Sequence, residues 1–355
     1  MTVASLTKTI VVKNSLREML RGMAVNTKIP GEFELCERFG VSRSTIRDAI
    51  GLLTSEGLLE KRHGVGTFSC EPAIRNKTVL AVIPSTTYLS PALSPFWFNI
   101  QFMLEGFSTR AAQEGVSTSI TYLHPDQQPV EVGVSTLLRF KTDAYIFPDL
   151  GGNGPLIRHL VEHGCTCIIR EPVCSNLTHS VYALLRDGVR NAVSHLIRSG
   201  RRRIAIFGSN PGDHYTHERF LGYSQALEEA GLSVDSRYVR SCDGFSRDAE
   251  QETRKMLSEG VRPDAIFGGT DLRCFGIIKA LQDKGVKIPD DVAVVGVDNM
   301  PDDQQQEPTL SSVDFPLFQM GEVMFDIFSE VSAARNCGKF IHRSLECPLI
   351  LRNSC

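Results

Sequence analysis

The sequence predicts a multi-domain chain: an N-terminal winged helix-turn-helix followed by a larger two-lobed α/β body with parallel sheets. Two observations lead there. Residues 29–68 place two short amphipathic helices and a glycine-centred hairpin in direct succession. From Val79 onward, short apolar runs alternate with amphipathic stretches, the pattern of βαβ units. The expected division is 1–69 for the head, 70–78 (CEPAIRNKT) for a polar linker and 79–355 for the body.

In the head, Glu34 to Phe39 forms a short helix with Leu35 and Phe39 four apart on one face. Gly40 and Val41 make the turn, and Ser42 can cap the second helix, SRSTIRDAIGLLTSEG. There Ile46, Ile50 and Leu53 point inward at 3-4 spacing. Arg43, Ser44 and Arg47 lie on the other side, near the end of a helix-turn-helix recognition helix that meets base edges and phosphates. LLEKR-HGVG-TFSC then reads as two strands joined by a turn, a wing carrying Lys61, Arg62 and His63. A strand follows the GVG, so it is no phosphate-cradling loop.

In the body, apolar runs such as VLAVIP, CTCIIRE, RRIAIFGS, PDAIFGG and DVAVVGV alternate with helical stretches. Several of these end in glycine, at Gly115, Gly164, Gly200 and Gly231. So long a run exceeds one comfortable open sheet, and two lobes with a cleft between them follow. In open parallel sheets ligands bind beyond the carboxyl ends of the strands.

Composition fits an ordinary soluble globular protein. Of 355 residues, 42% are hydrophobic and 22% charged, and no apolar stretch is long enough for a membrane span. No secretory signal is expected. The ten cysteines are scattered without a CxxC pair, which suits reduced thiols in the cytoplasm. Cys165 and Cys167 read as core thiols. Residues 1–70 carry ten Lys and Arg against seven Asp and Glu, about +3, which leaves about -6 for the rest of a chain of net charge -3. A mildly basic head on an acidic body suits a nucleic-acid-binding module.

Catalysis is not expected. There is no GxSxG elbow, HExxH helix or Walker loop, and the nine histidines are dispersed. The paired carboxylates Asp290-Asp291 and Asp302-Asp303 fall in turns and are expected to face solvent. Neither metal nor cofactor is expected.

The head closely resembles the GntR-type winged helix, whose pattern runs roughly LPSERELAxxxGVSRxTVRxAL and then RxGxGTFV. The resemblance implies DNA contacts from Arg43, Ser44, Thr45 and Arg47, and from His63, Gly64 and Gly66 in the wing. One position departs: Phe33 stands where the family usually carries a DNA-contacting arginine. The body resembles the effector domain of LacI/GalR-type repressors, with the periplasmic-binding-protein fold. The motifs are RDGVRNAVSHLIRSGRRRIAIFG, ERFLGYSQALEEAGL, DGFS and the long run RPDAIFGGTDLRCFGIIKALQDKGVKIPDDVAVVGVDN. Together the two resemble the arabinose-repressor (AraR-like) group.

That resemblance implies a homodimeric repressor that binds operator DNA and is controlled by a small molecule, a sugar above all. It places Arg219, Asp271 and Phe245 on the ligand, Asp187 and Asp298 near the cleft or hinge, and Trp97 in an aromatic loop after the first body strand. A nucleobase or other metabolite as effector, and an enzyme with a DNA-binding appendage, are the rival readings.

Overall fold

The computed structural model describes residues 3–21, 23–24, 26–55, 58–70, 77–84, 97–123, 129–149, 154–171, 177–208, 214–242, 245–333 and 340–355. Apolar residues at 3-4 spacing build the head around one small core. Its helices are α1 (Val3–Arg21), α2 (Glu32–Phe39) and α3 (Arg43–Ser55), followed by strands β1 (Leu59–Arg62) and β2 (Gly66–Ser69). Val12 and Leu16 of α1, Leu35 of α2, and Ile46, Ile50 and Leu53 of α3 are all buried in one cluster with Leu59. Gly40 ends α2 in the left-handed conformation, and the Ser42 hydroxyl accepts from the Thr45 amide to cap α3. β1 and β2 pair antiparallel from Leu59 opposite Ser69 to Arg62 opposite Gly66. The segment before α2 lies along the hairpin, where the Ile29 amide donates to the Thr67 carbonyl at 2.9 Å.

The body's first lobe begins with β3 (Thr78–Pro84), α4 (Trp97–Gln113), β4 (Ser117–Leu123) and α5 (Val130–Leu138). It continues through β5 (Ala144–Phe147), α6 (Gly154–Glu162), β6 (Cys167–Arg170) and β7 (His179–Ala183). The second lobe runs α7 (Leu185–Arg198), β8 (Ile204–Phe207), α8 (His214–Glu229), β9 (Val239–Arg240), α9 (Ser246–Ser258) and β10 (Ala265–Phe267). It ends with α10 (Asp271–Gln282), β11 (Ala293–Val297) and β12 (Ser311–Val313). Then α11 (Leu317–Ala333) and β13 (His342–Leu345) return to the first lobe, and β14 (Leu349–Ile350) to the second.

Strand order is β13-β7-β6-β5-β3-β4 in one sheet and β14-β12-β11-β10-β8-β9 in the other. All pairings are parallel except β12 with β14 at one edge. The chain therefore crosses between lobes after β7, after β12 and after β13. These crossings are tied to the strands beside them and to each other: the Leu184 amide donates to Leu345, and the Asp314 amide to Pro348, each at 2.8 Å. Gly188 packs so tightly here that a Cβ would stand 2.6 Å from the Cys347 carbonyl oxygen.

Parallel strands buried on both faces read as continuous apolar runs, and β5, β6, β8, β10 and β11 are buried along their whole length. Cys167 is buried as expected, and Cys165 packs half-buried on the same cluster. The four glycines expected to end helices all have positive φ.

Helices α4 and α11 touch backbone to backbone. A Cβ on Gly106 would collide with the Phe318 carbonyl, and one on Gly321 with the Met103 carbonyl. Because backbone cannot yield as a side chain can, Gly321→Ala is expected to cost roughly 3 kcal/mol, read as a lower thermal midpoint. An unchanged midpoint would show that the two helices can move apart freely.

Candidate functional site

Two sites emerge, one in the head and one between the lobes. In the head, Arg43 and Arg47 stand one turn apart on the exposed face of α3. Both donate to the same carboxylate: Glu32 on α2 accepts from Arg43 Nε at 2.7 Å and from Arg47 Nε at 2.9 Å. These hydrogen bonds hold the Glu32 carboxyl below the usual carboxylate range. Glu32 thus orders two long cationic side chains side by side, and it is a residue that motif reading missed. Its sequence signal is the first glutamate of the Glu-Phe-Glu stretch, which the GntR-type pattern also carries.

Ser44 is exposed beside the arginines, whereas Thr45 is turned inward. It shares the i, i+4 stripe of Ala49 and Leu53, and its hydroxyl pairs with that of Ser42 at 2.9 Å. Thr45 therefore serves the start of α3 and does not reach outward. In the wing, Gly64 has φ 71° and Gly66 φ 137°, conformations that disfavour a side chain. A Cβ on Gly66 would also come within 2.5 Å of Lys28 Cε. Lys61 and His63 are exposed, but Arg62 is braced: its guanidinium lies 4.5 Å from the Phe68 ring centroid and donates to Glu60 at 2.8 Å.

In the body, the strands' carboxyl ends carry the polar residues. In the second lobe Tyr215 follows β8, Phe245 follows β9, Asp271 follows β10 and Asp298 follows β11. In the first lobe Asp149 follows β5, and Arg170 with Glu171 closes β6. Asp187 sits in the first turn of α7, at the hinge, and is exposed. Phe245 immediately precedes α9 and is 41% exposed. Trp97 opens α4 and does not lie in a loop; its side chain is outside the described residues.

Glycines make room for the charges. A Cβ on Gly208 would collide with the Arg273 guanidinium, and one on Gly296 with the Asp271 carboxylate. Asp271 is wholly buried, accepting from the Ser312 hydroxyl at 2.7 Å and from the Met300 amide at 3.1 Å. A ligand oxygen would have to share a carboxylate already held from below. Asp303, expected to face solvent, is instead fully buried, 3.6 Å from Arg352. Burial drives Asp271 well above the carboxylate range, and the nearby Asp303 charge adds to it; such a pair titrates as a unit.

Burial also lifts Asp298 to about 7, the Asp271 charge adding to it while Arg219 and Arg273 pull it back. An unfolded aspartate titrates near ~4. The protonated folded form is thus favoured, and its contribution to stability is full below about pH 4 and lost as pH rises to about 7. Asp298→Asn is therefore expected to gain stability relative to the natural chain as pH rises through that window, in thermal midpoints measured at several pH values. Parallel pH profiles would show that Asp298 does not titrate there.

Arg219 is half-buried on α8. Its neighbour Glu218 accepts from Arg186 at 2.7 Å. A cation–π contact spans the lobes: the Arg170 guanidinium of β6 lies 4.9 Å from the ring centroid of Tyr215 on α8. Tyr215 in turn meets Phe315 of the hinge edge-on at 5.5 Å, and Arg170 Nη2 is 3.8 Å from Asp149. Sequence reading missed Arg170, Asp149 and Tyr215; the signal was a charged pair closing an apolar run, CIIRE. Beside the hinge a cavity of about 390 Å³ is lined by Tyr182, Asp187, His214, Tyr215, Glu218 and Gln225, within the range of small-molecule pockets.

A winged helix-turn-helix carrying paired arginines, joined to a two-lobed body hinged at three crossings, is the architecture of a ligand-responsive transcription regulator. Both parts resemble known proteins. Residues 9–68 match the gntR family of bacterial regulatory proteins, and residues 193–355 match the periplasmic binding protein-like domain. The arabinose metabolism transcriptional repressor of Geobacillus stearothermophilus is 25% identical over 94% of this chain and 92% of its own length. Catabolite control protein A of Priestia megaterium is 33% identical over 39% of this chain, and the match spans only 42% of that protein. The repressor CytR of Escherichia coli is 26% identical over 46% of this chain and 48% of its own. Among solved structures, a LacI-family regulatory protein from Chloroflexus aggregans has the same fold, with TM-score 0.68, 22% identity and 78% and 98% of the two chains covered. The transcriptional regulator CelR in complex with cellobiose also scores 0.68, with 24% identity over 89% and 92% of the two chains. No helix among the described residues is long and apolar enough to cross a membrane.

Proposed function

We propose that this chain is a cytoplasmic, homodimeric transcription repressor that binds operator DNA through its winged helices and is controlled by a sugar held between the lobes. The observation that carries the reading is the union in one chain of Arg43 and Arg47, displayed by Glu32, with a hinged cleft lined by opposed charges and rings. Head, linker and body act as the units 1–69, 70–78 and 79–355. Arg43, Ser44 and Arg47 read the major groove while His63, Gly64 and Gly66 bring the wing to the backbone, and a dimer places its half-sites about 34–36 Å apart or a multiple of that.

In the body, Arg219, Arg170 and Asp271 bracket ligand hydroxyls, and Phe245 and Tyr215 offer rings to the CH faces of a sugar. Asp187 and Asp298 line the hinge side. Closure of the lobes about the three crossings moves the heads, and the effector acts only by its unequal affinity for the two states. The sugar reading is supported by the likeness to an arabinose-metabolism repressor and to a regulator bound to cellobiose.

The test is a thermal-shift screen of the full chain against free sugars, sugar phosphates and nucleosides. A ligand at 100 times its dissociation constant stabilises the folded state by about 2.7 kcal/mol. A free-sugar hit that also alters binding to a selected DNA duplex supports the proposal. Response to nucleosides alone overturns the sugar and keeps the regulator.

A further inference from the structure

Phe33 is 76% exposed, the most exposed large apolar side chain among the described residues. It occupies the first turn of α2, next to Glu32, whose carboxylate holds both Arg43 and Arg47. Phe33 thus directly follows, on the exposed first turn of α2, the residue that binds both arginines, and Glu34 after it is exposed as well. Covering an exposed phenylalanine is favourable by area, and the anionic phosphates of a duplex cannot supply that gain. A base edge can. In the major groove the apolar group presented by base pairs is the C5-methyl of thymine.

Resting on the reading of the head as a DNA-binding unit, we propose that Phe33 is a specificity-determining residue that packs against a thymine methyl at one position of each half-site. The ring gives this head a thymine preference where an arginine, with its fork matched to O6 and N7, would select guanine. It adds sequence discrimination without adding a phosphate contact, so it leaves the salt dependence of binding unchanged.

The experiment selects duplexes from a randomised library with the natural full-length chain, Phe33→Ala and Phe33→Arg. The expected result is one half-site position that is thymine for the natural chain, unselective for Phe33→Ala and guanine for Phe33→Arg. Replacing that thymine by deoxyuridine removes only the methyl. It should weaken the natural chain about fourfold, the worth of one buried methyl group, and leave Phe33→Ala unaffected. The same preferred sequence from all three chains, or an equal deoxyuridine effect on the natural chain and Phe33→Ala, overturns the inference while sparing the DNA-binding reading. A uniform loss of affinity in Phe33→Ala with unchanged base preference overturns it too. Failure of the natural chain to enrich any duplex removes the DNA-binding reading and this inference with it.

Discussion

Alanine at both Arg43 and Arg47 is expected to lower affinity for the selected duplex by about 100-fold or more, at about 1–3 kcal/mol for each bidentate arginine–base pairing removed. The effect is large because the two side chains are not independent, mobile cations. Each is pinned to Glu32 on the neighbouring helix, so much of the ordering that binding requires is already in place. Titration of labelled duplex at fixed salt reads the weakening, and the slope of affinity against salt should flatten in the double variant. Both side chains are largely exposed, so the variant should fold normally and keep its response to the effector. Unchanged duplex affinity would mean that α3 is not the reading helix.

Arg219→Ala should do the reverse. Effector affinity is expected to fall about 100-fold, from the removal of two charge-assisted hydrogen bonds worth about 1.5 kcal/mol or more each. Duplex affinity without effector should stay within about twofold. Calorimetry with the sugar found in the screen gives the first number, titration of labelled duplex without sugar gives the second, and duplex release by that sugar reads the response. If release is undisturbed, Arg219 does not touch the ligand. The bracket must then be built from Arg170, which already reaches across to Tyr215 in the other lobe.

The helix-turn-helix and wing were legible in the sequence because what defines them is local, whereas α1, which adds Val12 and Leu16 to the same core, lies outside that motif. The cap at Ser42, the turn at Gly40, the inward stripe of α3 and the glycine wing all lie within forty residues. The exception was Thr45, which the family resemblance implied as a DNA contact and which lies buried on the Ala49–Leu53 stripe with its hydroxyl on Ser42. In the body, strands buried on both faces announced themselves as apolar runs. β7 (HSVYA) and β13 (HRSL) did not, since β13 is an edge strand with mostly exposed, polar residues and β7 mixes polar and apolar positions.

The cleft was legible only in part, for a different reason. Arg219, Asp271 and Asp298 came from a motif resemblance, whereas Arg170 and Tyr215 matter through a contact between residues 45 apart in sequence. Asp303 misled because a turn position suggests solvent. Its carboxyl folds inward toward Arg352, a partner supplied from near the far end of the body.

The three crossings make the lobes interleaved rather than consecutive. A ribosome delivers the outer strand of the first lobe, β13, and the helix that packs on α4 only after nearly all of the second lobe has been made. A stop codon just past Val313 would therefore damage the earlier lobe more than the later one, stripping it of α11 and β13. For the same reason no single cut divides the body into two foldable halves. Deletion series meant to locate the effector site would report instead on the assembly of a lobe that lies far upstream of the deleted residues in the chain.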